Sequence, residues 1–133
     1  MTTIEAYFKR DSYAESMGIK LLEFSEGRAK AMLEITKNHL NSAGTVHGGV
    51  IFTLADFAFA VAAHSHGTVS AAINSCISFF KAVSAGVLYA EAKEISFHPK
   101  LASYTVDVTN EKNELIASFQ GMVYRKKDTL NIE

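Results

Sequence analysis

One carboxylate stands in surroundings that do not suit it. Asp56 lies among Phe52, Leu54, Ala55, Phe57 and Phe59, and an ionised carboxyl amid apolar side chains is costly unless paired or hydrogen-bonded. In a cleft, such a group is a functional candidate. It could serve as a general base for a water or as a nucleophile that forms an anhydride. The competing reading is a structural acid satisfied by backbone donors. Upstream lie His47, Gly48 and Gly49. If the glycines open a helix, the unpaired N–H groups of its first turn and the positive end of its dipole form a site for negative charge. Glycine there also lets a carbonyl approach the backbone closely. Donors aimed at charge developing on an attacked carbonyl contribute roughly 3–4 kcal/mol each. The alternative is a helix-entry turn with small residues chosen for packing.

The element that must position both groups is the run from Gly48 to Ala63, almost wholly apolar after the glycines. It is long enough for about four helical turns. A helix apolar on all sides must be enclosed by protein, and this one falls short of the roughly 20 apolar residues of a membrane span. Gly48 and Asp56 lie eight residues apart, which places them roughly 12 Å apart along one helix axis. One carbonyl carbon cannot touch both. If both act on it they come from different chains, an arrangement that a two-fold dimer provides twice.

The pattern Asn41-(five residues)-His47-Gly48-Gly49-(six residues)-Asp56 resembles the signature of the hotdog-fold acyl-coenzyme A thioesterases, specifically the PaaI-type group. The resemblance implies an α+β chain, a single hotdog domain over residues 1–133 with an antiparallel sheet wrapped around one long central helix. It implies hydrolysis of acyl-coenzyme A to free acid and coenzyme A, with no cofactor. The backbone N–H of Gly48 would be the oxyanion donor, in a site shared between subunits of a homo-oligomer, a dimer at minimum and plausibly a homotetramer. Asp56 would be base or nucleophile. Asn41 matches a position that orders the loop or positions water and thioester, with an ordinary turn Asn as the alternative. His47 reads as a residue whose ring fixes the loop. Some relatives carry a hydroxyl residue at the start of the strand after the helix, where this chain has Ala72, so a donor to the attacking water is lost.

For the substrate, Gly49 joins Gly48 at the helix entry, and Phe52, Phe59, Phe79, Phe80 and Tyr89 are candidate walls for an aryl-acetyl or medium-chain acyl group. Each is equally an ordinary core aromatic. Lys81, Lys100 and Arg125-Lys126-Lys127 are candidates for a basic rim toward the phosphates of coenzyme A. Two other functions stand beside hydrolysis. A non-catalytic acyl-coenzyme A-binding module would need no carboxylate at Asp56. An enoyl-thioester hydratase would show a His a few residues after the Asp, and His64 is too far along.

The remaining features set bounds. With 133 residues, a formal net charge of -1 and 20% charged residues, the chain suits one domain with a real core and shows no basic footprint for nucleic acid. The single cysteine, Cys76, allows no intrachain disulfide and suits a reducing compartment; it reads as a small buried apolar residue. The first ten residues lack the order of a secretory signal, so a cytoplasmic location is expected, with no membrane partner. His64 and His66 read as solvated or capping residues at the polar helix end, and no metal site is expected.

Elsewhere, a first helix is expected from Thr2 or Thr3 toward Met17, ended by Gly18. A hairpin follows, with its turn at Ser25-Glu26-Gly27, then a loop over residues 36–44. Four strands follow the central helix, over residues 69–80, 87–97, 101–109 and 115–124, before a frayed charged tail from Arg125.

Overall fold

A computed structural model describes residues 1–131 of the chain. Two short helices, α1 (Thr3–Phe8) and α2 (Ser12–Ser16), precede the hairpin β1 (Lys20–Ser25) and β2 (Arg28–Glu34); a 3₁₀ turn at Lys37–His39 leads to α3 (Gly48–His64). The long strands β3 (Thr68–Phe79), β4 (Val87–Phe97), β5 (Leu101–Asn110) and β6 (Leu115–Thr129) complete the chain. All pairings are antiparallel, in the order β1-β2-β4-β5-β6-β3. The α+β arrangement of one helix wrapped by one sheet is therefore as expected.

Two expectations at the chain ends are corrected. The first helix is broken in two. Asp11 accepts a hydrogen bond from the Ala14 N–H as the N-cap of α2, and Asp is better suited to a cap than to a helix interior. The charged tail is not frayed, because β6 continues to Thr129 and keeps its pairing with β3, Ser70 opposite Arg125 and Thr68 opposite Thr129. Backbone hydrogen bonding outweighs the charge of three successive basic residues there.

The core lies between α3 and the concave face of the sheet. Ala29, Ala31, Ala90 and Ala92 on adjacent β2 and β4 are fully or almost fully buried, and small side chains there admit the helix closely. Phe59 and Phe119 meet with ring centroids 5.4 Å apart. A Cβ at Gly121 would stand 2.7 Å from Phe59 Cζ, so glycine at that point of β6 makes room for the ring. Phe59 is thus a core residue, and Tyr89 faces the opposite, charged side of the sheet beside Lys30 and Glu91. Neither walls a site beside Gly48.

At the far end of α3 the histidines depart from the expected solvated state. His64 is buried: its Nδ1 lies 2.7 Å from the Ala60 carbonyl and its Nε2 accepts from the Ser70 N–H at 3.2 Å. These contacts fit the neutral ring with Nδ1 protonated, and burial pushes its pKa down, partly opposed by the Ala60 bond. His66 is held between Glu94 Oε2 at 2.7 Å and Glu26 Oε1 at 3.3 Å and stacks on Phe97.

Candidate active site

The site begins at the loop that feeds α3. Asn41 Oδ1 accepts from the N–H groups of Ala43 and Thr45 and lies 3.3 Å from Thr45 Oγ1. Its side-chain oxygen therefore closes the turn, while its amide nitrogen makes no hydrogen bond among the described residues. His47 is the N-cap of α3, and its Nδ1 accepts from the Gly49 N–H at 2.9 Å. The Val50 and Ile51 N–H groups both go to the His47 carbonyl. Of the N–H groups in this first turn, only that of Gly48 has no partner among the described residues. The structure thus singles out one donor of the glycine pair, aligned with the positive end of a 17-residue helix.

The glycines have separate steric reasons. A Cβ at Gly49 would stand 3.1 Å from His47 Nδ1, against the capping bond; one at Gly48 would stand 3.3 Å from the end of the Phe79 ring. Gly49 was a candidate substrate contact, but its N–H is committed to His47, so its part is to let the cap form.

Along α3, eleven residues are buried, and Gly48, Gly49, Phe52, Thr53, Asp56 and Ala60 are not. Gly49, Thr53, Asp56 and Ala60 recur at the spacing of one helix face. The helix is therefore open along one stripe rather than enclosed all round, and Asp56 belongs to that stripe. Its carboxylate has no hydrogen bond or ion pair among the described residues, so the backbone-satisfied structural acid is not what is found. Burial, and secondarily the charge of Asp11, raise its pKa above the ordinary carboxylate value. A base with a raised pKa binds a proton more strongly when it takes one from water.

Beside the stripe runs β3, which pairs only with β6 and leaves its other edge without a strand. Residues 72–76 are exposed, Ile73 to 56%, and Cys76 is exposed rather than buried. Phe80 follows at 58% exposure, available as a wall but not enclosed by this chain. Phe52 packs edge-on against Phe119 at 5.5 Å and borders the stripe. Lys81 is ion-paired with Glu114, so its charge is already committed. Ala72 lies at a β-bulge between Ala72 and Asn74, and the Ser70 hydroxyl is buried without a partner. A cleft of about 730 Å³ opens between α1, α2 and β1, lined by Phe8, Asp11, Ile19 and Phe57 among others. Its lining includes neither Gly48 nor Asp56.

Residues 43–117 match the family model of the thioesterase superfamily. Acyl-coenzyme A thioesterase PaaI of Escherichia coli is 30% identical over 96% of this chain and 92% of its own length. The chain belongs to the thioesterase superfamily. Within it, this is a PaaI-type hotdog thioesterase: the solved E. coli PaaI protein, from the phenylacetic acid degradation operon, superposes with a TM-score of 0.93 at 28% identity, covering 97% of this chain and 94% of that one. A protein of Archaeoglobus fulgidus provisionally named an esterase is 45% identical over 89% of this chain and 77% of its own length. The thioesterase match spans the Gly48 donor, the Asp56 stripe and the β3 edge.

Proposed function

We propose that this thioesterase hydrolyses acyl-coenzyme A esters with aryl-acetyl or medium-chain acyl groups, in a site built from two subunits. The observation that carries the reading is the pair formed by the one unpaired first-turn donor, Gly48 N–H, and the one unpartnered carboxylate on the open stripe, Asp56. The two are separated by eight residues of one helix, about 12 Å, so the Gly48 of one chain serves the Asp56 of its partner. The thioester carbonyl oxygen accepts from Gly48 N–H, and the charge gained on attack is stabilised by that donor and the helix dipole. Asp56, ionised, either takes a proton from the attacking water or attacks the carbonyl itself. The thiolate of coenzyme A leaves; on the base route this releases the acid directly, and on the nucleophile route a water then cleaves the acyl–Asp56 anhydride to the free acid and the restored carboxylate.

The stripe and the unpaired β3 edge support the two-chain assembly. Both open beside the reacting groups, and β3 with the residue after it exposes apolar side chains, Ile73, Phe79 and Phe80, that association would cover. The Phe79 ring against Gly48, with Phe52 bordering the stripe and Phe80 exposed after β3, favours a flat or extended apolar acyl group. The E. coli relative named as an acyl-coenzyme A thioesterase favours the same substrate class. A binding-only module is disfavoured by Asp56, since a raised-pKa carboxylate beside the ligand gives no benefit to binding alone.

The test is a panel of acyl-coenzyme A esters followed by thiol release. Phenylacetyl and C6 to C10 acyl esters should turn over with kcat/KM of about 10⁴ M⁻¹s⁻¹ or more, the lower end of ordinary enzymes. Tight binding of the whole panel with no thiol released would establish the binding module instead.

A further inference from the structure

The short helix α1 meets the C-terminal end of α3 through one ring. His64 is stacked on Tyr7 with centroids 5.4 Å apart and 26° between the planes, and it meets Phe8 edge-on at 5.5 Å. We propose that α1 is a proton-released flap, fastened by the neutral His64 ring beside the cleft between α1, α2 and β1 and freed when that ring is protonated. A helix of six residues does not persist by itself in water, so α1 keeps its form only while docked. Its other anchors are few: buried Ile4, the Phe8 ring on Phe57 at 5.6 Å, and the bond from Arg10 Nη1 to the Asn131 carbonyl at 3.1 Å. The second helix is fastened independently of His64. The Met17 carbonyl lies 2.8 Å from His39 Nε2, and the Ile19 N–H donates to the Ala14 carbonyl at 3.1 Å. Release therefore ends at α1.

The surroundings of His64 accept one protonation state. Nδ1 donates to the Ala60 carbonyl and Nε2 accepts from the Ser70 N–H. A second proton would make Nε2 a donor aimed at another donor, on a residue only 7% exposed, and a buried charge without a partner is costly. The facing groups offer no compensation. From α1 come Tyr7 and Phe8, with the Arg10 guanidinium, a like charge, over the Tyr7 ring at 5.3 Å. From β3 comes Ser70, whose register partner on β6 is Arg125, a second like charge. The one carboxylate on α3, Asp56, is eight residues away, roughly 12 Å along the axis, and no carboxylate pairs with His64 among the described residues. The negative end of the α3 dipole favours the proton, but burial outweighs it. When α1 leaves, water reaches the face that Tyr7 covered and the ring charges freely, so protonation and opening are linked. The flap is closed above about pH 6.5 and loosens as pH falls below it, carrying Glu5 and Phe8 away from the cleft they line.

The test is amide exchange of the full chain, followed by NMR between pH 7 and pH 5 and expressed as protection factors corrected for each amide's intrinsic rate. The Ala6 and Lys9 N–H groups report α1, through their bonds to the Thr2 and Glu5 carbonyls, and the Met17 N–H reports α2. Relative to Val106 and Val108 in β5, protection at Ala6 and Lys9 should fall at least tenfold over that range, and protection at Met17 less than twofold. His64→Gln should hold the α1 ratio constant within twofold, whereas His66→Gln, which removes a histidine outside the flap, should keep the parent's fall. Should His64→Gln not fold, Tyr7→Leu decides in its place. It leaves His64 but removes the ring stacked on it, so α1 protection at pH 7 should already lie at least tenfold below the parent's, with β5 unchanged. Loss of α1 protection together with α2 or β5, a constant α1 ratio in the parent, a fall that survives His64→Gln or vanishes in His66→Gln, or parent-like α1 protection in Tyr7→Leu would overturn the flap. The measurement uses no thioester, so it stands or fails independently of the hydrolysis reading.

Discussion

At Asp56, geometry and charge make opposite demands. The carboxylate is set on an open stripe of a largely buried helix, where partial desolvation and Asp11 raise its pKa. For a carboxyl whose folded pKa lies above its unfolded one, the folded state binds the proton more tightly. Stability therefore falls as pH rises through that window and stays lower at neutral pH. Asp56→Asn should accordingly raise the melting temperature at pH 7 while removing at least about a hundredfold of the hydrolysis rate, because the amide serves as neither base nor nucleophile. In the parent enzyme the acid limb of kcat/KM should fall above the ordinary carboxylate range, since that limb reports the free enzyme's base. A variant that keeps more than half the parent rate would remove Asp56 from the mechanism. The neighbouring groups differ in kind: His47 Nδ1 accepts from the Gly49 N–H and Asn41 Oδ1 accepts from the N–H groups of Ala43 and Thr45.

At the scale of elements, the sequence was most legible where local chemistry and tertiary structure agree. The Asn41 loop, the glycine entry and the β4 limits at Val87 and Phe97 follow from turn residues and alternation that nothing in the fold opposes. It was least legible where a distant partner decides. Arg125 to Asp128 looks like a solvated tail until Thr68 to Ser70 pair with it, and Cys76 looks buried until β3 proves to be an edge. The open stripe on α3 was hidden because Gly49 and Ala60 are small rather than polar and the Thr53 hydroxyl is turned back to the Gly49 carbonyl, so composition marks no exposed face. His64 is similar: near a helix end it reads as a cap, whereas it joins α3 to β3 through Ala60 and Ser70. Its depressed pKa means that the unfolded chain binds the proton more readily, so the stability from neutral His64 is present above about 6.5 and lost as pH falls below it. His64→Gln should cost about 1–3 kcal/mol at pH 8 and flatten the decline of melting temperature between pH 7 and 5. An unaltered decline would place that titration elsewhere.

For the whole molecule, the exposed β3 edge and the uncovered stripe adjoin, and a second copy would cover both in the proposed assembly. No helix among the described residues is long and apolar enough to cross a membrane. Light scattering at micromolar concentration should give a dimer or a tetramer. A fully active monomer would contradict the shared site.

In the proposed site Gly48 of one chain serves Asp56 of another, and mixed oligomers measure that directly. Asp56→Asn in one chain and Gly48→Val in the other should leave each homodimer inactive, because every site then carries one defect; the valine also meets the Phe79 ring, 3.3 Å from where its Cβ would stand. In the mixed dimer one site carries both defects, and the other joins an intact Gly48 to an intact Asp56. Activity should return to about half that of the parent dimer if the sites act independently, in proportion to the heterodimer formed. Folded, verified heterodimers that remain inactive would show that the two groups do not meet across the interface.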